Sequence, residues 1–167
     1  MGAYQPDQIR NVALVGHSGA GKTTLGEAIL HKAGLTTRLG SVDDGTTVLD
    51  YDDESKDRRH TVDSALCHLQ HEGHLLNFID TPGMPDYCGQ AIAAIAAVET
   101  AAVVVSAAAG IGVNTRRMFN IAKNHGLGRM IIVTRLDAEN ANLPDVLAAI
   151  RETFGHECHP INLPTNG

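Results

Sequence analysis

The string "GHSGAGKTT", residues 16–24, holds the densest chemistry in this 167-residue chain. It fits G-x-x-x-x-G-K-[ST], a loop whose backbone N–H groups cradle phosphate oxygens. The N–H groups of residues 18–23 are expected to surround a β-phosphate, with Gly19 and Gly21 letting the backbone approach closely. Lys22 would place a point charge on the β- and γ-phosphates, and the Thr23 hydroxyl would bind Mg²⁺. Gly16, His17, Ser18, Gly19, Ala20, Gly21, Lys22, Thr23 and Thr24 therefore form the expected nucleotide cradle. A helix opening at Lys22 would add its dipole at the same place. Chance produces such a string in about one chain in a hundred or fewer at average composition.

A second motif, "NFIDTPGMPD" at 77–86, runs an apolar strand into Asp80, Thr81, Pro82 and Gly83. Asp80 fits a second carboxylate acting on Mg²⁺ through water, and the Gly83 N–H would reach toward a γ-phosphate. Such a turn closes and opens with nucleotide state. Met84 follows, a side chain that can neither orient water nor carry a proton. A third motif, "TRLD", comprises Thr134, Arg135, Leu136 and Asp137 at the end of a strand. Asp137 would accept hydrogen bonds from guanine N1 and N2, and Arg135 would stack on the base. Alone this string reads as a polar loop; its place after the two earlier motifs points to guanine.

Other clusters carry less. His68, His71 and His74 fall on an expected hairpin, which scatters them over its faces and turn. "HECH" at 156–159 reads as a loop after a helix, and "KDRR" at 56–59 as a solvated loop.

The elements that must position these motifs are short. Apolar runs at 12–15, 75–79, 101–106 and 130–134 suit strands covered on both faces. "HEG" at 71–73 would turn a hairpin between 62–70 and 74–79. Helices are expected over 22–33, 86–98 and 115–125, and after Pro144. Their inward faces would carry Leu25, Ala28 and Ile29, then Cys88, Ile92 and Ile95, then Met118, Ile121 and Ala122, and finally Leu147, Ile150 and Phe154. Strands alternating with helices predict an α/β fold: three layers around a mostly parallel sheet, with one antiparallel edge strand. Residues 36–61 show no sustained period, and a loop of that length is usually functional. "HPINLPTNG" at the end resembles a strand cut short.

The length suits one domain burying roughly 70% of its unfolded surface, and a 43% hydrophobic fraction makes it globular rather than disordered. A net charge of −6 opposes a general grip on nucleic acid. The three cysteines form no C-x-x-C pair, which suits the cytoplasm. The start has no signal-peptide run, and Pro6 stands where myristoylation of Gly2 needs Ser or Thr. The Ala-rich stretch at 91–109 carries Glu99 and reads as helix plus strand, so no membrane partner is expected.

With three motifs in this order, the chain resembles the G domain of translational GTPases, chiefly elongation factor G and elongation-factor-G-like proteins of bacteria. The resemblance covers residues 11–163 and implies a P-loop NTPase fold, GTP/GDP with Mg²⁺, and a ribosome partner met mainly through other domains. It implies that residues 1–167 are the N-terminal part of that domain. By resemblance "RRHT" is the first-switch element and Thr61 a ligand of Mg²⁺ and γ-phosphate, so Thr23, Thr61 and Asp80 form the metal set. Lys22, Thr61 and Gly83 are the catalytic candidates. The sequence departs from the family at four places. Met84 replaces a water-positioning His, Gly19 an Asp, Thr134-Arg135 an Asn-Lys pair, and His60 an isoleucine or its neighbour. The expectation is GTP and GDP binding with slow hydrolysis. A non-catalytic nucleotide switch and an ATP-binding regulatory module are the alternatives.

Overall fold

The computed structural model describes residues 4–165. Gly2, and the Asn166 and Gly167 that end "INLPTNG", lie outside the described residues. Five strands make one sheet in the order β2-β3-β1-β4-β5. They are β1 (Ile9–Gly16), β2 (Ala65–His71), β3 (His74–Asp80), β4 (Thr100–Ser106) and β5 (Gly128–Thr134). β3, β1, β4 and β5 run parallel, and β2 joins antiparallel at one edge through the hairpin at Glu72-Gly73. The helices are α1 (Lys22–Lys32), α2 (Asp53–Arg58), α3 (Cys88–Ala96), α4 (Val113–Asn124) and α5 (Leu143–Phe154).

The two faces of the sheet are covered differently. α3 and α4 bury Ala91, Ile95, Met118 and Ala122 against Ala13, Val15, Ala101 and Val103. α5 joins this layer through Phe154, whose ring lies 4.3 Å from that of Phe119. On the other face, α1 and the segment after it bring Leu30 and Leu49 onto Ala65. This is the expected three-layer α/β/α architecture with an antiparallel edge strand. No helix among the described residues is long and apolar enough to cross a membrane.

Several details differ from the sequence expectation. The buried face of α1 carries Gly26, Glu27 and Leu30, whereas Ala28 is exposed. Gly26 is small because the Leu49 side chain lies directly over it. Residues 36–61 contain the short helix α2, capped by Asp52, which accepts from Ser55 N at 2.7 Å. The expected helix over 86–98 is a 3-10 turn (Pro85–Tyr87) followed by α3, which ends at Ala96. Residues 159–165 form no strand: Pro160 and Pro164 remove ladder donors, and Ile161 and Leu163 are exposed.

The parallel strands are tied together at their N-terminal ends. Asn77 Nδ2 donates to Asn11 Oδ1 at 2.7 Å, and the Asn11 N–H and side-chain amide both donate to the Glu99 carboxylate. The Glu99 carbonyl in turn accepts from Gly128 N at 3.0 Å. The opposite, C-terminal ends are Gly16, Asp80, Ser106 and Thr134, the edge at which open α/β sheets bind ligands.

Candidate functional site

At the end of β1 the chain must turn sharply over β4. Gly16 has φ +146°, and a Cβ there would sit 2.5 Å from the Val104 carbonyl oxygen. Only glycine fits this exit. Gly21, at φ +90°, then starts α1 beside Thr134, and Lys22 is the first helical residue. The Lys22 ammonium donates to His17 O at 3.0 Å and to Gly16 O at 3.3 Å. Two of its three donors are thus spent shaping the loop, which leaves one for a ligand. Burial pushes the Lys22 pKa down, and the nearby Asp80 carboxylate pulls the other way.

Next to Lys22, four oxygen-bearing side chains from three segments converge. Thr23 Oγ1 donates to Asp80 Oδ2 at 2.7 Å and lies 2.9 Å from Thr61 Oγ1. Thr61 Oγ1 lies 2.9 Å from Asp50 Oδ1, while Asp50 Oδ2 accepts from Thr47 Oγ1 at 3.2 Å. All four are buried, and Asp80 Oδ1 has no hydrogen-bond partner among the described residues. Burial raises the Asp80 pKa to about 6, with the Asp50 charge adding to the effect and Thr23 and Lys22 opposing it. The buried oxygens of Asp80, Thr23, Thr61 and Asp50, linked in that order with one Asp80 oxygen orphaned, form an all-oxygen donor set that fits a small hard dication.

The remaining motif residues divide. Thr81 spends its hydroxyl on Leu14 O at 2.7 Å, tying the end of β3 to β1. Pro82 and Gly83 are buried, and a Cβ on Gly83 would lie 2.5 Å from Ser18 N and clash with the Lys22 ammonium. The turn therefore lies directly on the phosphate loop. Met84 is half-buried at the N-cap of the following 3-10 turn, without a side-chain cap bond. His17 and Gly19 are exposed, Ser18 is half-buried and Ala20 buried; Thr24 is exposed on α1.

At the end of β5, Thr134 Oγ1 donates to Ala20 O at 2.7 Å, fastening the "TRLD" loop to the phosphate loop. Arg135 takes φ +55°, a left-handed conformation that is costly for a side chain with a Cβ. Arg135 and Asp137 are exposed and Leu136 is half-buried. The His60 ring lies 6.3 Å from the Tyr87 ring. Its Nδ1 is 2.9 Å from Arg58 O, and its Nε2 is buried without a partner among the described residues.

Four residues central to this arrangement escape sequence reading. Asp50 sits in a segment without periodicity. Glu27 is fully buried, with Oε1 accepting from Val48 N and Leu49 N. Asn114 and Thr115 bond to Gly83 O and His17 N across 31 and 98 residues. Their place at the start of the helix expected over 115–125 was the one available signal for the last pair. A cleft of about 650 Å³ lined by Glu139, Asn142 and Leu163 shares no residue with the cluster around Lys22.

A loop from the first strand into a buried lysine at a helix start, with a buried carboxylate, Asp80, at the end of the neighbouring strand, defines a P-loop nucleotide-binding domain. Residues 7–162 match the family described as Elongation factor Tu GTP binding domain, and the chain belongs to that family. It is 38% identical over 98% of its length to an elongation factor G-like protein of Mycobacterium tuberculosis, spanning 23% of that protein. Elongation factor G 2 of Streptomyces coelicolor is 36% identical over 93% of the chain, and 22% of that protein is covered. Mitochondrial ribosome-releasing factor 2 of Drosophila ananassae is 35% identical over 93% of the chain and 21% of that protein. A crystal structure of a Thermus thermophilus protein superposes with a TM-score of 0.85 at 44% identity, over 89% of this chain and 22% of that one. The chain thus spans about a fifth to a quarter of the length of these relatives.

Proposed function

We propose that this domain binds GTP and GDP with Mg²⁺ and hydrolyses GTP slowly. The observation that carries the reading is the junction of the Lys22 ammonium with the buried oxygens of Thr23, Thr61, Asp80 and Asp50. The third Lys22 donor is free for a β- or γ-phosphate oxygen, and the N–H groups at the start of α1 add their dipole there. Thr23 and Thr61 would hold Mg²⁺ by their hydroxyls, and Asp80 and Asp50 would hold its waters. The ion would neutralise charge on the phosphate oxygens. Thr61 lies against Thr23 and Gly83 against the Lys22 ammonium, so two loops could close on a γ-phosphate there. When that phosphate is absent neither loop has this reason to stay, which makes residues 36–61 and 80–90 the switching segments.

Asp137 and Arg135 are proposed to read guanine, supported by their position on the strand edge beside the phosphate loop. Thr134 keeps one anchoring bond, to Ala20 O. Met84 supplies no proton chemistry, and losing such a group costs about 10²–10⁴ in rate. That same residue favours the second reading, a switch that binds nucleotide without turning it over. The names of the relatives support a ribosome partner, reached mainly through parts of such proteins beyond this domain; a cytoplasmic setting is proposed for this chain from its cysteine usage. No sequence-specific nucleic-acid contact is proposed.

The test is titration with fluorescent GDP in Mg²⁺, with unlabelled GTP, GDP and ATP as competitors. Guanine nucleotides alone should compete, and Lys22→Ala should not bind. Equal competition by ATP would overturn the guanine assignment, and unchanged binding by Lys22→Ala would overturn the site.

A further inference from the structure

The first turn of α4 carries two consecutive buried polar residues, Asn114 and Thr115, 3% and 1% exposed. Each holds a different part of the site. Thr115 Oγ1 accepts from His17 N at 3.0 Å, within the phosphate loop. Asn114 Nδ2 donates to Gly83 O at 2.9 Å, within the Asp-Thr-Pro-Gly turn. Gly112, just ahead of the helix, lets the His17 ring lie against the backbone; a Cβ there would be 2.7 Å from the ring. One rigid helix start therefore fastens both segments.

The two bonds hold things that matter for different ligands. The loop held by Thr115 would meet the phosphates of GDP and GTP alike. The turn held by Asn114 lies against Ser18 N and the Lys22 ammonium, and it is the Gly83 N–H of this turn that, on the reading above, reaches toward a γ-phosphate. Gly83 has no Cβ to restrict its rotation. Holding its carbonyl removes part of the freedom that glycine would otherwise give this turn. The bond occurs together with Thr61 packed on Thr23.

We propose that Asn114 is a positioning residue that holds the Gly83 turn closed and so gives the site its preference for a γ-phosphate, whereas Thr115 supports both nucleotides equally. The inference rests on the GTP/GDP reading above. Its test measures the Kd of fluorescent GDP and of a fluorescent non-hydrolysable GTP analogue for this chain in Mg²⁺. Asn114→Ala should weaken the analogue about five- to tenfold, the worth of one buried hydrogen bond, with GDP changed less than about twofold. Thr115→Val should weaken both nucleotides by the same factor. Asn114→Asp keeps the shape but sets an acceptor against the Gly83 carbonyl; it should reproduce or exceed the selective loss, and it carries the comparison if Asn114→Ala fails to fold. If both Asn114 variants weaken GDP and the analogue alike, or neither, the inference falls while the nucleotide reading stands. If the unmodified chain binds neither nucleotide, both fall together.

Discussion

Replacing Glu27 by alanine removes one carboxylate oxygen that accepts two backbone hydrogen bonds, from Val48 N at 2.7 Å and Leu49 N at 2.9 Å. The side chain is fully buried, and its other oxygen faces Gly40 without a partner among the described residues. Each buried N–H left unpaired costs about 1–3 kcal/mol. Relief of the buried carboxylate's own desolvation offsets part of that loss. The net cost, about 2–4 kcal/mol, falls on the segment around residue 48 and leaves the sheet ladders intact. Local opening there should become about 30- to 700-fold more frequent. Amide hydrogen exchange at Val48 and Leu49 reads this directly, with Ala13 and Val103 in the sheet as internal references. Glu27→Gln keeps the accepting oxygen, so its exchange should rise less than about tenfold. Exchange within about threefold of the unmodified chain for Glu27→Ala, or Gln behaving as Ala, would refute the reasoning. The stakes extend to the site, because Leu49 immediately precedes Asp50, and Asp50 Oδ1 is hydrogen-bonded to the Thr61 hydroxyl.

Three further outcomes are expected. Met84→His should raise single-turnover GTP hydrolysis by about 10²–10⁴ with GDP affinity unchanged; an unaltered rate would show that the missing imidazole is not what limits this domain. In that background, Gly83→Ala forces the turn about 1 Å off the backbone at Ser18 and should lower the rate about 10²-fold, and a rate equal to the Gly83 parent would count against the close approach. Thr134→Val, nearly isosteric, removes the bonds to Ala20 O at 2.7 Å and Val105 O at 3.3 Å. It should cost about 1–2 kcal/mol and lower Tm by roughly 2–8 °C in a thermal melt, whereas Thr134→Ser should not; equal melting of the Val variant would show that these bonds contribute nothing.

The fold was legible because its signals are local. Apolar runs such as "AAVVVS" can be buried on both faces only inside a sheet, and the glycine-lysine loop marks where strand gives way to helix. The site was legible only in part. α2 has no apolar face in "DESKDR"; it forms because Asp52 caps it and Arg59 ends it at φ +55°. The inward face of α1 is misread from hydrophobicity, since a glycine and a buried glutamate occupy it to admit Leu49. Asp50, Glu27 and Asn114 gain their roles from partners 11–31 residues away. No composition or spacing rule connects such pairs.

The polar rung formed by Asn77, Asn11, Glu99 and Gly128 has a bearing on which insertions and deletions this domain can survive. It indexes all four parallel strands at one end, while the groups of the proposed nucleotide site sit at the other. Asp80 lies three residues beyond Asn77, and Leu14, its register partner, three beyond Asn11. Adding or removing one residue between rung and rim would displace a site group by about 3.3 Å and turn the following side chains to the opposite face. A length change in the loop between α1 and α2 moves no strand relative to another. Inherited gaps in this family should therefore collect outside those few-residue intervals, and the distance from Glu99 to the sheet's far edge should behave as a fixed ruler.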